Sequence, residues 1–379
     1  MKYKADLIKN NIRDILELDN YKGYNPYDLL KSEYLEGVND SKTLYYLSQL
    51  LKISPINFRP ILKIKKTNCP KSLALILYAS IISKEDINFR KILQILEEQK
   101  INYKNVDTWG FDFPIMLSHY SSPKGSPSVV ISLFVYFSLF EYYALNQDVA
   151  TRTKIENFRN LLTTCLPKQE NDEELSFSYV FERYNSVFNC TAKIGKLLSL
   201  CQKYNIGNNN KDMISKILNH LSKWQRSDGS WPYSEVANYS DSFHTAFILD
   251  SIYYMLPNSD NPIHHNMYYI GKKNYYSSFI RDTGQIYYYH PEYKPQDIRK
   301  YLTQTDIRDC AMAIQFSLLD NKEDLSKKIL NWTIENMYSS NKHFNHYYEK
   351  FWNNNINYIR PQAWMYLSIA KYIHRKGSL

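Results

Sequence analysis

Apolar helices are expected to begin near Pro70, Ser126, Val187, Asp241, Asp306 and Arg360, at separations of 56, 61, 54, 65 and 54 residues. Each interval has room for two helices and two connections, so the recurrence predicts six helical hairpins. The second helix of each unit is the more apolar. The run Leu73-Ala-Leu-Ile-Leu-Tyr-Ala-Ser-Ile-Ile82 is apolar almost all round, as a helix covered on every side must be. The units are longer than common solenoid repeats, and apolar second helices suit an inner ring better than an open superhelix. The expected fold class is therefore all-α, an (α/α)6 toroid or six-hairpin barrel with short extended pieces in its loops. Residues 1–68 are expected as an N-terminal helical cap or the first outer helices, and 69–379 as the toroid, the two forming one continuous domain.

The central unit shows the local logic. Met213, Ile214, Ile217, Leu218, Leu221 and Trp224 are spaced as a helix, and Asp228-Gly229 ends the pattern with a turn. Ser240 or Asp241 can cap the next helix, which carries Phe243, Phe247, Ile248 and Ile252. Pro127 and Pro361 suit first helical turns, where a missing N–H costs nothing.

Composition excludes several partner classes. The net charge of +9 arises from 47 basic and 38 acidic residues dispersed along the chain, without the clustered stripe that tracks nucleic acid. No run reaches the roughly 18 apolar residues of a membrane span; Val129 to Leu145 comes nearest and contains Glu141. The first residues lack the apolar stretch of a signal peptide, so a cytoplasmic location is expected. Five scattered cysteines read as reduced core thiols. His264-His265 and His343-x-x-His346 are weak metal-ligand pairs in polar loops, and no metal or other cofactor is expected.

In a toroid, alternating helix direction brings all inner-helix N-termini to one end. Asp112, Asp241, His244, Asp306, Arg308 and Arg360, or their loops, would converge on that mouth. Exposed N–H groups there favour a carboxylated or phosphorylated ligand. Asp241, His244 and Asp306 are the catalytic candidates, although Asp is also a preferred cap without any chemistry. Trp109, Asp112, Trp231, Tyr233, Arg308, Tyr358 and Arg360 are the substrate-binding candidates, the aromatic ones as faces for sugar rings or as core seals.

Gln225-x-x-Asp228-Gly-Ser-Trp231 resembles the repeat of squalene and oxidosqualene cyclases. Asp241-Ser-Phe-His-Thr-Ala246 lies where those enzymes carry an Asp-rich acid motif, but lacks the companion carboxylates that tune so strong an acid. A resemblance over about residues 107 to 375 is closer. It is to the prenyltransferase-like or squalene-cyclase-like proteins of bacterial surface-polysaccharide gene clusters. Trp109-Gly110, Gly125-Ser126-Pro127, Asp228 to Tyr233, Asp241 to Ala246 and Arg360 to Trp364 carry it. Arg308, Phe188 and the segment Pro295 to Leu302 depart from that pattern.

The resemblance implies a carbohydrate-active protein of surface or capsular polysaccharide metabolism, acting on a glycan or glycan precursor, and the basic charge and Tyr-rich loops lean toward an anionic one. Hydrolysis would use two carboxylates, Asp241 with Asp306 or Asp112. A lyase or epimerase would use His244 or a tyrosine as base, with Arg360 or Arg308 neutralising the substrate carboxylate. The partners are then an oligosaccharide or sugar precursor and proteins of polysaccharide assembly. A non-catalytic toroid that binds a glycan or lipid carrier is the alternative, and a terpene cyclase-like enzyme is the third reading.

Overall fold

The computed structural model describes residues 2–35, 41–84, 89–117, 120–295, 303–352 and 355–374. The thirteen α-helices among them are α1 (Lys2–Leu18), α2 (Ser41–Ile53), α3 (Pro70–Ser83), α4 (Phe89–Glu98), α5 (Val129–Asn146), α6 (Val149–Cys165) and α7 (Phe188–Lys203), followed by α8 (Lys211–Trp224), α9 (Ser242–Met255), α10 (Pro262–Phe279), α11 (Ile307–Leu319), α12 (Glu323–Met337) and α13 (Ile359–His374). Short antiparallel strand pairs occupy the loops between them.

The odd-numbered helices from α3 to α13 form the inner ring. Each packs on the next, and α13 returns to pack on α3, which closes the circle. Around it, α4, α6, α8, α10 and α12 pack outside α3, α5, α7, α9 and α11, while α1 packs outside α13. The fold is thus the six-hairpin α/α toroid. The core is continuous around the ring, from Ala5 and Ile8 of α1 to Ile369 of α13. Among the described helices, α5 is long and apolar enough to cross a membrane by length and composition. Its place between α3 and α7 uses that apolar surface in packing.

One device repeats where outer helices hand over to inner ones. Trp109 Nε1 donates to the Leu96 carbonyl at the end of α4, and Trp231 Nε1 donates to the Leu221 carbonyl in the last turn of α8. The Trp109, Phe177 and Phe344 amides are in turn held by Ser132, Thr191 and Gln362, each the fourth residue of the following inner helix. These bonds satisfy buried donors and acceptors where those connections meet the inner ring. Gly229 permits the sharp turn before Trp231: its φ is +94°, and a Cβ there would lie 2.7 Å from the Ile270 carbonyl oxygen.

The inner helices start close to the expected positions, with two adjustments. Ser128 caps α5 by accepting from the Ile131 amide, so Pro127 precedes the cap instead of occupying the first turn. Asp306 ends a strand, Thr303–Asp306, paired with Tyr347–Glu349 before α11 begins. Most of the segment from Pro295 to Leu302, read as an insertion, lies outside the described residues.

Candidate active site

A cavity of about 830 Å³ opens at the end of the ring where the inner helices begin. Its wall contains the second residue of every inner helix: Lys71, Val130, Asn189, Phe243, Arg308 and Arg360. That regularity follows from the repeat, because equivalent positions on six similarly directed helices face one axis. One turn deeper, Phe134, Phe247 and Trp364 pack on one another with ring centroids 5.4–5.7 Å apart and close the funnel. Lys193 enters at the same depth from α7.

The α9 start carries an ordered dyad. Asp241 caps the helix, its Oδ1 accepting from the His244 amide at 2.8 Å. The same carboxylate lies 2.7 Å from His244 Nδ1 through each oxygen. The pairing assigns a proton to Nδ1, so that in the neutral ring Nε2 carries the lone pair, on a side chain that lines the cavity and is 30% exposed. Tyr233 stands edge-on to the imidazole at 4.8 Å and stacks on Tyr239. This packing fixes the ring plane.

The α11 start is different. Asp306 is fully buried and forms a bidentate pair with Arg308, which itself reaches the cavity wall. Burial would push the Asp306 carboxyl up, but Arg308 and the hydrogen bonds outweigh that effect and hold it well below the ordinary range. Asp309 completes a capping box by accepting from the Asp306 amide at 3.3 Å. Burial, then the neighbouring charges of Asp306 and Asp241, push Asp309 well above the ordinary carboxyl range, so it is held neutral. Asp306 therefore does not present itself to a ligand.

Several other sequence candidates have structural duties. Trp109 and Trp231, expected as surfaces for sugar rings, are buried with their indole N–H groups spent on outer-helix carbonyls. Asp112 does not line the cavity: its Oδ2 accepts from Lys31 Nζ at 2.8 Å, and its neighbours Phe111 and Phe113 face the opening instead. Tyr358 is fully buried under the Arg59 guanidinium, 4.7 Å from the ring centroid. Asp241, Tyr233, His244, Arg308 and Arg360 share the cavity wall. His264 is bound by Ser259 and Asn219, and His346 is buried beside Asp306. Among the described residues no three His, Cys, Asp or Glu side chains form a group that could hold a metal ion.

Three wall residues were missed by sequence reasoning. Tyr27 arrives from the N-terminal segment, which is pinned by the buried Asp28–Arg59 pair and by the Asn25 side chain accepting from the Tyr27 amide. Burial would raise its phenol, but Lys52, Arg308 and Arg360 outweigh that and lower it to about 7. Lys71 and Lys193 are 7% and 2% exposed. For Lys71 a signal was present: a cation at the start of a helix apolar almost all round has no route to bulk water except the central axis.

No protein-family model matches the chain, and none of the curated proteins does. Solved structures do match in shape. A protein of Listeria innocua superimposes over 99% of both chains with a TM-score of 0.62 at 10% identity. A family 76 glycoside hydrolase, an α-mannanase of Bacteroides thetaiotaomicron, covers 93% of this chain and 99% of its own (TM-score 0.60, 11% identity). The cellobiose 2-epimerase of Bacillus thermoamylovorans covers 80% of this chain and 86% of its own (TM-score 0.54, 10% identity). The shared feature is the α/α-toroid fold. At these identities the likeness concerns architecture, and the chemistry must be argued from the cavity.

Proposed function

We propose that the protein is a sugar-converting enzyme that moves a proton at a carbon beside a carbonyl or carboxylate, as an epimerase, isomerase or lyase does. The observation that carries this reading is the Asp241–His244 dyad, with Nε2 open to a cationic cavity. Nε2 would take the proton from carbon. The Nδ1–H bond to Asp241 would hold the tautomer and stabilise the imidazolium that forms. Arg360 and Arg308 on the same wall would stabilise charge developing on the adjacent oxygen. The Tyr27 phenol, at about 7, is a second wall group able to exchange a proton at neutral pH.

Hydrolysis by paired carboxylates is less well supported. Among the described residues the cavity wall offers only Asp241 and Glu292, and both oxygens of Asp241 are committed to His244. The solved relatives in shape include both an α-mannanase and an epimerase, which supports a sugar substrate without choosing the reaction. The resemblance to proteins of surface-polysaccharide clusters supports a cytoplasmic role in building or tailoring such a polymer, and an anionic sugar as substrate.

The test is proton exchange. Uronic acids, their oligosaccharides and aldose phosphates are incubated with the enzyme in D2O, and the carbon-bound protons are followed by NMR. Deuterium wash-in that falls by about 10²–10⁴-fold in His244→Gln is expected. Release of reducing ends without wash-in would instead establish hydrolysis. Binding with neither outcome would leave a glycan-binding toroid.

A further inference from the structure

Lys71 and Arg360, at the second positions of α3 and α13, and Lys193, one turn deeper on α7, line the same cavity, and the charges of Arg360 and Lys193 both act on Lys71. All three are more than nine-tenths buried, with exposures of 7%, 2% and 8%. The Lys71 ammonium lies 4.1 Å from the Phe134 ring centroid and the Lys193 ammonium 5.6 Å from the same centroid, so the two cations share one aromatic ring. Trp364 and Phe243 also lie within 5.7 Å of Lys71 Nζ. Among the described residues no carboxylate forms an ion pair with any of the three. Arg360 Nε is buried without a hydrogen-bond partner. Arg308 differs, because Asp306 already neutralises it.

Three converging unpaired cations are costly in an empty site. Aromatic faces return only about 0.5–2 kcal/mol per cation, against several kcal/mol for removing an ion from water. Burial and the mutual repulsion of Lys71 with Arg360, Lys193 and Arg308 both press the Lys71 amine toward its neutral form. A bound anion reverses that balance. A single carboxylate would leave two cations uncompensated, whereas a phosphoryl dianion leaves one and offers oxygens enough for all three donors.

We infer that Lys71, Lys193 and Arg360 form a subsite for a phosphoryl dianion, so that the substrate is a phosphorylated sugar and not a neutral or singly charged one. This deepens the reading above, since it takes the cavity to be the substrate site, but it is tested without turnover. Failed deuterium exchange would leave it standing.

The experiment measures the binding of inorganic phosphate, formate, a hexose 6-phosphate and glucuronate to the whole chain by calorimetry, with Lys71→Met, Lys193→Met and His244→Gln alongside. Phosphate and the hexose phosphate are expected to bind, formate and glucuronate at least about tenfold more weakly. Each lysine variant should weaken phosphate by about ten- to a hundredfold, the loss of one charged hydrogen bond. His244→Gln should leave phosphate binding unchanged. Methionine replaces an unpaired ammonium with an apolar chain of similar length, so both variants are expected to fold. Should either fail to fold, wild-type crystals soaked in tungstate provide the second reading, with density expected between the three cations. Equal binding of formate and phosphate, unchanged binding in the lysine variants, or tungstate located elsewhere would overturn the inference.

Discussion

The starts of α9 and α11 look alike in sequence and differ in use. Each opens with an N-cap aspartate at the same mouth of the ring, and each aspartate accepts a backbone amide of its own first turn at 2.8 Å. Asp241 then meets His244 at the third helical position, a side chain that reaches the cavity and, among the described residues, has its hydrogen bonds to Asp241 through the main-chain amide and Nδ1. Asp306 meets Arg308 and Asp309, and its carboxylate disappears beneath them. A capping aspartate thus becomes part of a proton-transfer pair only when its second partner is titratable near neutrality and faces the ligand. With arginine as partner it becomes a buried counter-ion that holds a cation in the wall.

The comparison makes opposite demands on stability. Asp306→Ala strips a buried arginine of its partner and is expected to cost about 3–5 kcal/mol, whereas Asp241→Ala removes a cap beside a part-exposed histidine and should cost about 1 kcal/mol. Urea denaturation of the two variants decides this. Equal losses would break the distinction between the two starts.

Acid unfolding sharpens it. The folded Asp306 carboxyl titrates well below its unfolded value of about 4, so its stabilisation is complete above that pH and is lost as pH falls through the folded value. Stability measured downward from about pH 4 should fall more steeply in wild type than in Asp306→Asn. A parallel decline would contradict the assignment.

The smallest expected effect concerns Asp309. Its folded pKa is raised, so the wild type accumulates a penalty as pH rises above about 4, where the unfolded side chain ionises. Asp309→Asn, neutral throughout, should be at least as stable as wild type at neutral pH, by about 1 kcal/mol or less. That difference should vanish in acid. A large loss at neutral pH would show that an ionised Asp309 supports the fold.

The ring was legible because its cause is local and repeated. Apolar helices separated by near-constant intervals leave few ways to bury themselves, and observed inner starts at Pro70, Val129, Phe188, Ser242, Ile307 and Ile359 stay within three residues of those expected. At the site, Asp241, Tyr233, His244, Arg308 and Arg360 were recognisable because motif and cap positions mark them. For the aromatic residues the sequence left two roles open: Trp109 and Trp231 stand in turn motifs, and only the structure shows them sealing the core with their N–H groups turned toward outer-helix carbonyls. Lys71, Lys193 and Tyr27 were hidden for another reason. Lysine is ordinarily a solvated residue, and Tyr27 depends on a long-range contact that brings the N-terminal segment over the mouth.

The most direct test of the claim that α9 carries the chemistry and α11 only its framework is a crystal structure of His244→Gln with a bound hexose phosphate. The account predicts a sugar carbon about 3–3.5 Å from the position of His244 Nε2, with its phosphoryl group on Lys71, Lys193 and Arg360 and Asp306 still covered by Arg308. An anomeric oxygen seated against Glu292, or an Asp306 carboxylate swung out to the sugar, would contradict it.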